Sequence, residues 1–128
     1  PFYHFNHEED CGEKFVPEQE PIIMTANLVE NEALQHDYME YHRSQRKEWP
    51  EVLQGFCNAG FQHVMVYRNG RQLMLVITIP AGERLEELNP KTVEHNPRAE
   101  EWNSIMGNFQ EGIEDAPEGV TWIEFAKI

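Results

Sequence analysis

Phe61-Gln62-His63-Val64-Met65-Val66-Tyr67-Arg68-Asn69-Gly70-Arg71-Gln72-Leu73-Met74-Leu75-Val76-Ile77-Thr78-Ile79 is the stretch that decides the fold. Phe61 to Tyr67 and Gln72 to Ile79 are runs of strand length, and between them stands Asn69-Gly70. That dipeptide is among the strongest short hairpin signals, because both residues tolerate positive φ. The reading is an antiparallel pair of strands.

Outward from the hairpin, the chain alternates between element types. On its N-terminal side, Ile22 to Val29 is an almost unbroken apolar run, as expected of a strand covered on both faces. A helix follows from Glu30 and Asn31, with Asn31 as N-cap and Glu32 in the first turn, where the helix dipole favours an acid. Pro50 lacks an amide hydrogen and restricts Trp49 before it, so the helix is expected to kink or restart there. Val52, Leu53, Phe56 and Cys57 then face a core at helical spacing, and Gly60 caps the end. On the C-terminal side, a second helical stretch is broken at Asn89-Pro90 and Asn96-Pro97. It resumes from Ala99 to about Gln110, with Trp102, Ile105, Met106 and Phe109 on one face. Val120 to Ile128 closes the chain as a strand.

The resulting order, strand-helix-strand-strand-helix-strand, is the ferredoxin-like βαββαβ pattern of the α+β class, an antiparallel sheet with helices on one face. Its other face would be left apolar, and a large apolar patch on a soluble monomer marks an interface. A homodimer packed sheet to sheet is the expected solution. Residues 1–21, with acids and Gly12 breaking any periodicity and Pro17 and Pro21 closing the segment, read as an arm outside the core. Residues 22–128 then form a single domain, since 128 residues suffice for one core and not for two.

Composition narrows the partners. A formal charge of −13 and a pI near 4.7 argue against nucleic acid, which requires clustered Lys and Arg. Arg43, Arg46 and Lys47 are interleaved with acids and read as a solvated helix face. No run is long and apolar enough for a membrane span, and the start shows no basic-then-apolar signal pattern, so a soluble, cytoplasmic protein is expected. Cys11 and Cys57 read as one surface thiol and one buried thiol rather than a disulfide framework.

Side chains able to do chemistry concentrate on the first helix. At about 100° per residue, Leu34, Tyr38, Tyr41, Gln45 and Trp49 share a sector, with His42 at its margin beside Tyr38. Tyr38 and His42, four residues apart, are neighbours on the helix surface. An imidazole exchanges protons near neutrality and a phenol can donate to a developing alkoxide. The plainer alternative is a partly exposed histidine beside a core tyrosine. Three tryptophans add flat apolar surfaces suited to sugar rings. Trp102 and, after it, Trp49 stand where a pocket mouth would form, whereas Trp122 reads as core. His4, His7 and Cys11 have spacing that could suggest a metal, but no fourth ligand is evident. No phosphate loop, nucleophile elbow or His-Glu-x-x-His motif occurs, which favours proton transfer without a cofactor.

Tyr38-Met39-Glu40-Tyr41-His42-Arg43, Trp49-Pro50-Glu51, Gly60 to Tyr67, Asn96-Pro97-Arg98-Ala99-Glu100-Glu101-Trp102 and the closing aromatic strand resemble, in order and spacing, the L-rhamnose mutarotase family from about Ile22 to Ile128. The resemblance implies a dimeric α/β barrel that interconverts the anomers of a monosaccharide. It implies His42 as proton donor, Tyr38 as a substrate-contacting hydroxyl and Trp102 as a sugar-contacting indole. Two positions depart from the family pattern. Val64 stands where a tyrosine is usual, and Asn103 follows Trp102 where a second tryptophan is usual. His63, one position earlier, would point to the opposite sheet face and cannot replace the missing phenol. A related 6-deoxy sugar such as L-fucose therefore stands beside L-rhamnose as the expected substrate. The alternative readings are a non-catalytic sugar-binding or assembly module on the same barrel and, more remotely, an oxygenase of the same architecture.

Overall fold

The computed structural model describes residues 1–126. The sheet is built from β1 (Tyr3–Asn6), β2 (Gln19–Leu28), β3 (His63–Asn69), β4 (Gln72–Pro80), β5 (Gln110–Glu111) and β6 (Ile123–Glu124). Its order is β1-β3-β4-β2-β5, with β6 also pairing β2, and every pairing is antiparallel. Helices α1 (His7–Cys11), α2 (Glu32–Glu48), α3 (Pro50–Ala59), α4 (Leu85–Leu88) and α5 (Pro97–Met106) accompany it, with a 3-10 turn at Asn89–Thr92. The architecture is α+β, an antiparallel half-barrel sheet with helices packed on it, and β3-β4-β2-β5/β6 reproduces the ferredoxin-like order.

Local chemistry explains the element ends. The Asn31 side chain accepts from the Leu34 amide and starts α2. At Trp49 the backbone leaves the helical region (φ −133°, ψ 52°), and α3 restarts with Pro50 in its first turn, where a missing amide hydrogen costs nothing. In the hairpin, Asn69 pairs with Gln72, so the two loop residues are Gly70 and Arg71, and Gly70 alone takes positive φ, at 61°. The loop therefore sits one residue later than Asn-Gly suggested. Helix α5 ends at Met106, short of the expected Gln110, which instead enters β5.

The core lies between the sheet and the helices. Phe5, Leu28 and Leu73 are fully buried there, and Tyr38 and Phe61 are 1 % exposed. Burying a side chain of that size contributes roughly 1.5–3 kcal/mol. Alternation along the strands sends Tyr3, Phe5, Val64, Val66, Leu75 and Ile77 towards the helices, and His4, His63, Met65 and Val76 to the other face.

Three expectations are corrected. Residues 3–6 do not lie outside the core: β1 pairs with β3 in the register Tyr3↔Val66 to Asn6↔His63, and Tyr3 and Phe5 are buried. Cys11 and Cys57 are not free thiols but a disulfide across 46 residues that ties α1 to α3. In a chain-entropy account, a loop of that length gives a stabilisation of about 4 kcal/mol. The terminal strand is short: only Ile123–Glu124 pairs, Phe125 is half exposed, and Lys127 and Ile128 lie outside the described residues.

β1 is held from a second side. Arg46 of α2 donates to the His4 carbonyl at 2.6 Å and to the Asp10 carboxylate at 3.0 and 3.1 Å, while Asp10 accepts from the Asn6 amide. Strand ladder, ion pair and disulfide together fix this segment against the domain.

Candidate active site

A cavity of about 490 Å³ opens between α2, α5 and the helix-facing side of the sheet, closed laterally by β1 and by Thr121-Trp122. That volume lies in the range of small-molecule sites. Its walls are mostly apolar or aromatic, and a few polar groups converge on it from α2.

His42 is the chief of these. Phe2, Tyr3, Tyr38 and Trp102 surround its ring, with centroids 5.6, 5.4, 4.4 and 5.3 Å away. Burial among these rings disfavours the imidazolium and lowers the pKa from 6.5 to about 4, against the opposing effect of a hydrogen bond to the Tyr38 carbonyl. That bond also assigns the tautomer. The carbonyl oxygen can only accept, so Nδ1, 2.9 Å away, carries the hydrogen and donates it. In the neutral ring Nε2 is then left with its lone pair. At neutral pH His42 is an oriented proton acceptor.

The Tyr38 hydroxyl accepts from Gln110 Nε2 at 3.3 Å. Burial raises its pKa to about 12, more than the hydrogen bond from Gln110 lowers it. The phenol keeps its proton at neutral pH, so Tyr38 is a donor beside an acceptor. Both are borne on α2, four residues apart, and the helix fixes their separation.

Of the residues expected to contact a ligand, Trp102, Val64 and Asn103 also line the cavity. Val64 is a buried wall on the helix-facing side, and Asn103 is exposed at the rim. His63 lies on the opposite face as expected, 2.9 Å from His4. Trp49 does not line the cavity. The helix break turns its ring behind Trp102, edge to face at 5.6 Å, with the Arg98 guanidinium over it at 3.8 Å. It supports Trp102 rather than meeting a ligand. Trp122, expected in the core, packs against it partly buried and also contributes to the cavity wall.

Tyr3 and Gln45 line the cavity too, and neither was singled out from the sequence as a ligand contact. Tyr3 reaches the cavity from β1, and its hydroxyl donates to Gln45 Oε1 at 2.5 Å. Tyr3 and Phe5 alternate with His4 and Asn6, but over four residues that alternation is too short to mark a strand. The suggested metal ligands do not converge: Cys11 sulfur is bonded to Cys57, and His4 faces His63.

An α+β half-barrel whose cavity pairs an acceptor imidazole with a donor phenol amid aromatic walls defines a small protein with a site suited to proton transfer on a small ligand. The sequence pattern of the L-rhamnose mutarotase family matches residues 22–128, and the chain belongs to that family. It is 26 % identical over 112 residues to an L-fucose mutarotase of Xanthomonas campestris pv. campestris, covering 84 % of each chain. It is 29 % identical over 92 residues to a UPF0734 protein of Dictyostelium discoideum, covering 72 % of this chain and 71 % of the other. Membership of that family makes it a carbohydrate isomerase in class. Among the described residues no helix is long and apolar enough to cross a membrane.

Proposed function

We propose that the protein interconverts the α and β anomers of L-rhamnose or a related 6-deoxyhexose such as L-fucose by general acid/base ring opening. The observation that carries this reading is the pairing of His42, with Nε2 free as acceptor, and Tyr38, a retained phenol, on one turn of α2.

In the proposed step, His42 Nε2 takes the proton from the anomeric hydroxyl as its oxygen becomes the aldehyde oxygen. The bond from C1 to the ring oxygen breaks, and the ring oxygen receives the Tyr38 proton. Rotation about C1–C2 presents the other carbonyl face. The hydroxyl then attacks C1, returns its proton to Tyr38, and the imidazolium returns the first proton to the new anomeric oxygen. The family role of proton donor is reached by His42 only in this second half, because its ring starts neutral. Because the Tyr38 pKa is raised, the phenol gives up its proton only as C–O cleavage makes the ring oxygen an alkoxide more basic than the phenolate. In the open-chain state the Tyr38 phenolate stands beside the His42 imidazolium until the ring recloses. General acid and base assistance of this kind contributes about 10²–10⁴-fold. Trp102 and Trp122 offer apolar surface to the ring faces and methyl group.

Val64 and Asn103 favour a second reading, a sugar-binding or assembly module, since the wall has a valine and an amide where the family has a phenol and an indole. His42→Ala separates the two. Loss of most anomer exchange with sugar binding retained supports catalysis, and unchanged exchange removes His42 from the mechanism.

A homodimer packed through the outer sheet face is also part of this proposal. Ile23, Met65, Met74 and Val76 share that face and are only partly buried, which supports a covering partner. Sedimentation equilibrium of the wild type and of Val76→Lys tests it, the variant being expected to shift towards monomer. As for location, the Cys11–Cys57 bond favours an oxidising compartment over the cytoplasm suggested by the sequence.

A further inference from the structure

We infer that Gln45 is a substrate-contacting, specificity-determining residue and that Tyr3, on a strand outside the family-matched region, is the positioning residue that aims it; the inference rests on the mutarotase reading. Gln45 is an uncharged polar side chain only 1 % exposed, on the cavity face of α2. A buried amide requires partners for both of its ends. Oε1 is satisfied by the Tyr3 hydroxyl. The Tyr3 hydroxyl, which burial keeps protonated, donates to that oxygen, and the amide nitrogen is turned the other way. Nε2, with two hydrogens, donates to nothing among the described residues, and the side chain that bears it lines the cavity. It is a donor awaiting an acceptor.

The position of Gln45 says which acceptor. It stands three residues after His42 on the same helix, so their Cβ atoms are about 5–6 Å apart. If His42 works at the anomeric hydroxyl, Gln45 meets oxygens on the far side of the same ring. L-Rhamnose and L-fucose differ in configuration at C2 and C4, so a fixed donor across the ring from the anomeric centre reads a distinguishing hydroxyl. A site built to bond a hydroxyl discriminates strongly when that group is misplaced, because its own polar group is left unpaired.

Tyr3 makes the donor rigid. It is buried, lies 5.4 Å from the His42 ring, and is borne on a strand fixed to β3, to Arg46 and, through α1, to Cys57. Tyr3 brings a phenol to the cavity from another strand, as the register partner of Val66, two residues along β3 from Val64. Its hydroxyl acts through Gln45 rather than on the sugar.

The test is saturation NMR exchange kinetics on L-rhamnose and L-fucose with the wild type, Tyr3→Phe, Gln45→Leu and the double variant, with thermal unfolding followed in parallel. The inference predicts KM raised about 3- to 10-fold in each single variant, kcat unchanged within about twofold, and the preference between the two sugars narrowed. It also predicts a double variant no worse than Gln45→Leu, because Tyr3 works only through that amide. Additive effects, or a Tyr3→Phe that lowers stability without moving KM or sugar preference, overturn it while leaving the mutarotase reading intact. A wild type that neither binds nor interconverts either sugar overturns that reading and this inference with it.

Discussion

Protonating His42 is the perturbation whose consequences the site geometry fixes most closely. Its ring is desolvated by four aromatic neighbours and titrates at about 4, while its Nδ1 hydrogen is committed to the Tyr38 carbonyl. Only the neutral ring has a lone pair at Nε2, so kcat/KM should follow the neutral fraction of the free protein. At pH 5 a group titrating at about 4 is about 90 % neutral, whereas an ordinary histidine at about 6.5 would be about 3 % neutral, a contrast of about 30-fold. Stability moves in the same direction. The unfolded histidine binds its proton near 6.5 and the folded one only near 4, so stability is lost as pH falls through that window, by at most about 3 kcal/mol. Anomeric exchange measured by NMR between pH 4 and 8, with the uncatalysed rate subtracted and folding followed by circular dichroism, reads both. A flat profile down to about pH 5, falling with a midpoint near 4, is expected. A midpoint near 6.5 in folded protein would refute the desolvated, Nε2-acceptor assignment.

Other perturbations have equally definite outcomes. Tyr38→Phe removes the donor to the ring oxygen while keeping the ring packed, and kcat should fall by about 10²-fold with little change in KM; an unchanged kcat would assign that proton to another donor. Reducing the Cys11–Cys57 disulfide, or replacing both cysteines by serine, should cost about 2–4 kcal/mol in denaturant unfolding, and a smaller effect would mean that the ladder to β3 and Arg46 already hold the segment. Trp102→Ala and Trp49→Ala should part company. Both lose stability by about 3–5 kcal/mol, but only Trp102→Ala removes cavity wall, so the fall in sugar affinity measured by calorimetry should be much the larger there.

The parts of this protein written in local chemistry were readable in advance, and the parts that depend on distant contacts were not. Asn31, Pro50, Gly60 and the hairpin residues act within a few positions of themselves, and the elements they delimit fall where expected, to within one residue at the hairpin loop. The α2 stripe placed Tyr38, Gln45 and His42 together because one helix carries all three. Trp49 fits the same angular pattern but stands where Pro50 ends the helix, and the change of backbone direction takes its ring out of the cavity. β1 has only four residues, too few to show a period beside the acids that follow, and it becomes a strand only by finding the β3 edge some sixty residues later. The disulfide likewise joins α1 to α3, a proximity that two cysteine positions in a sequence do not contain. Tyr3 was hidden for the same reason, and with it the half of the polar site that Gln45 completes.

The central claim is that this cavity accelerates ring opening of a 6-deoxyhexose. Magnetisation exchange between the α and β anomeric protons of L-rhamnose and L-fucose, recorded at near-neutral pH with and without the protein, tests it most directly. The account predicts faster exchange for at least one of the two sugars, abolished by His42→Ala; exchange at the rate of water alone for both would contradict it.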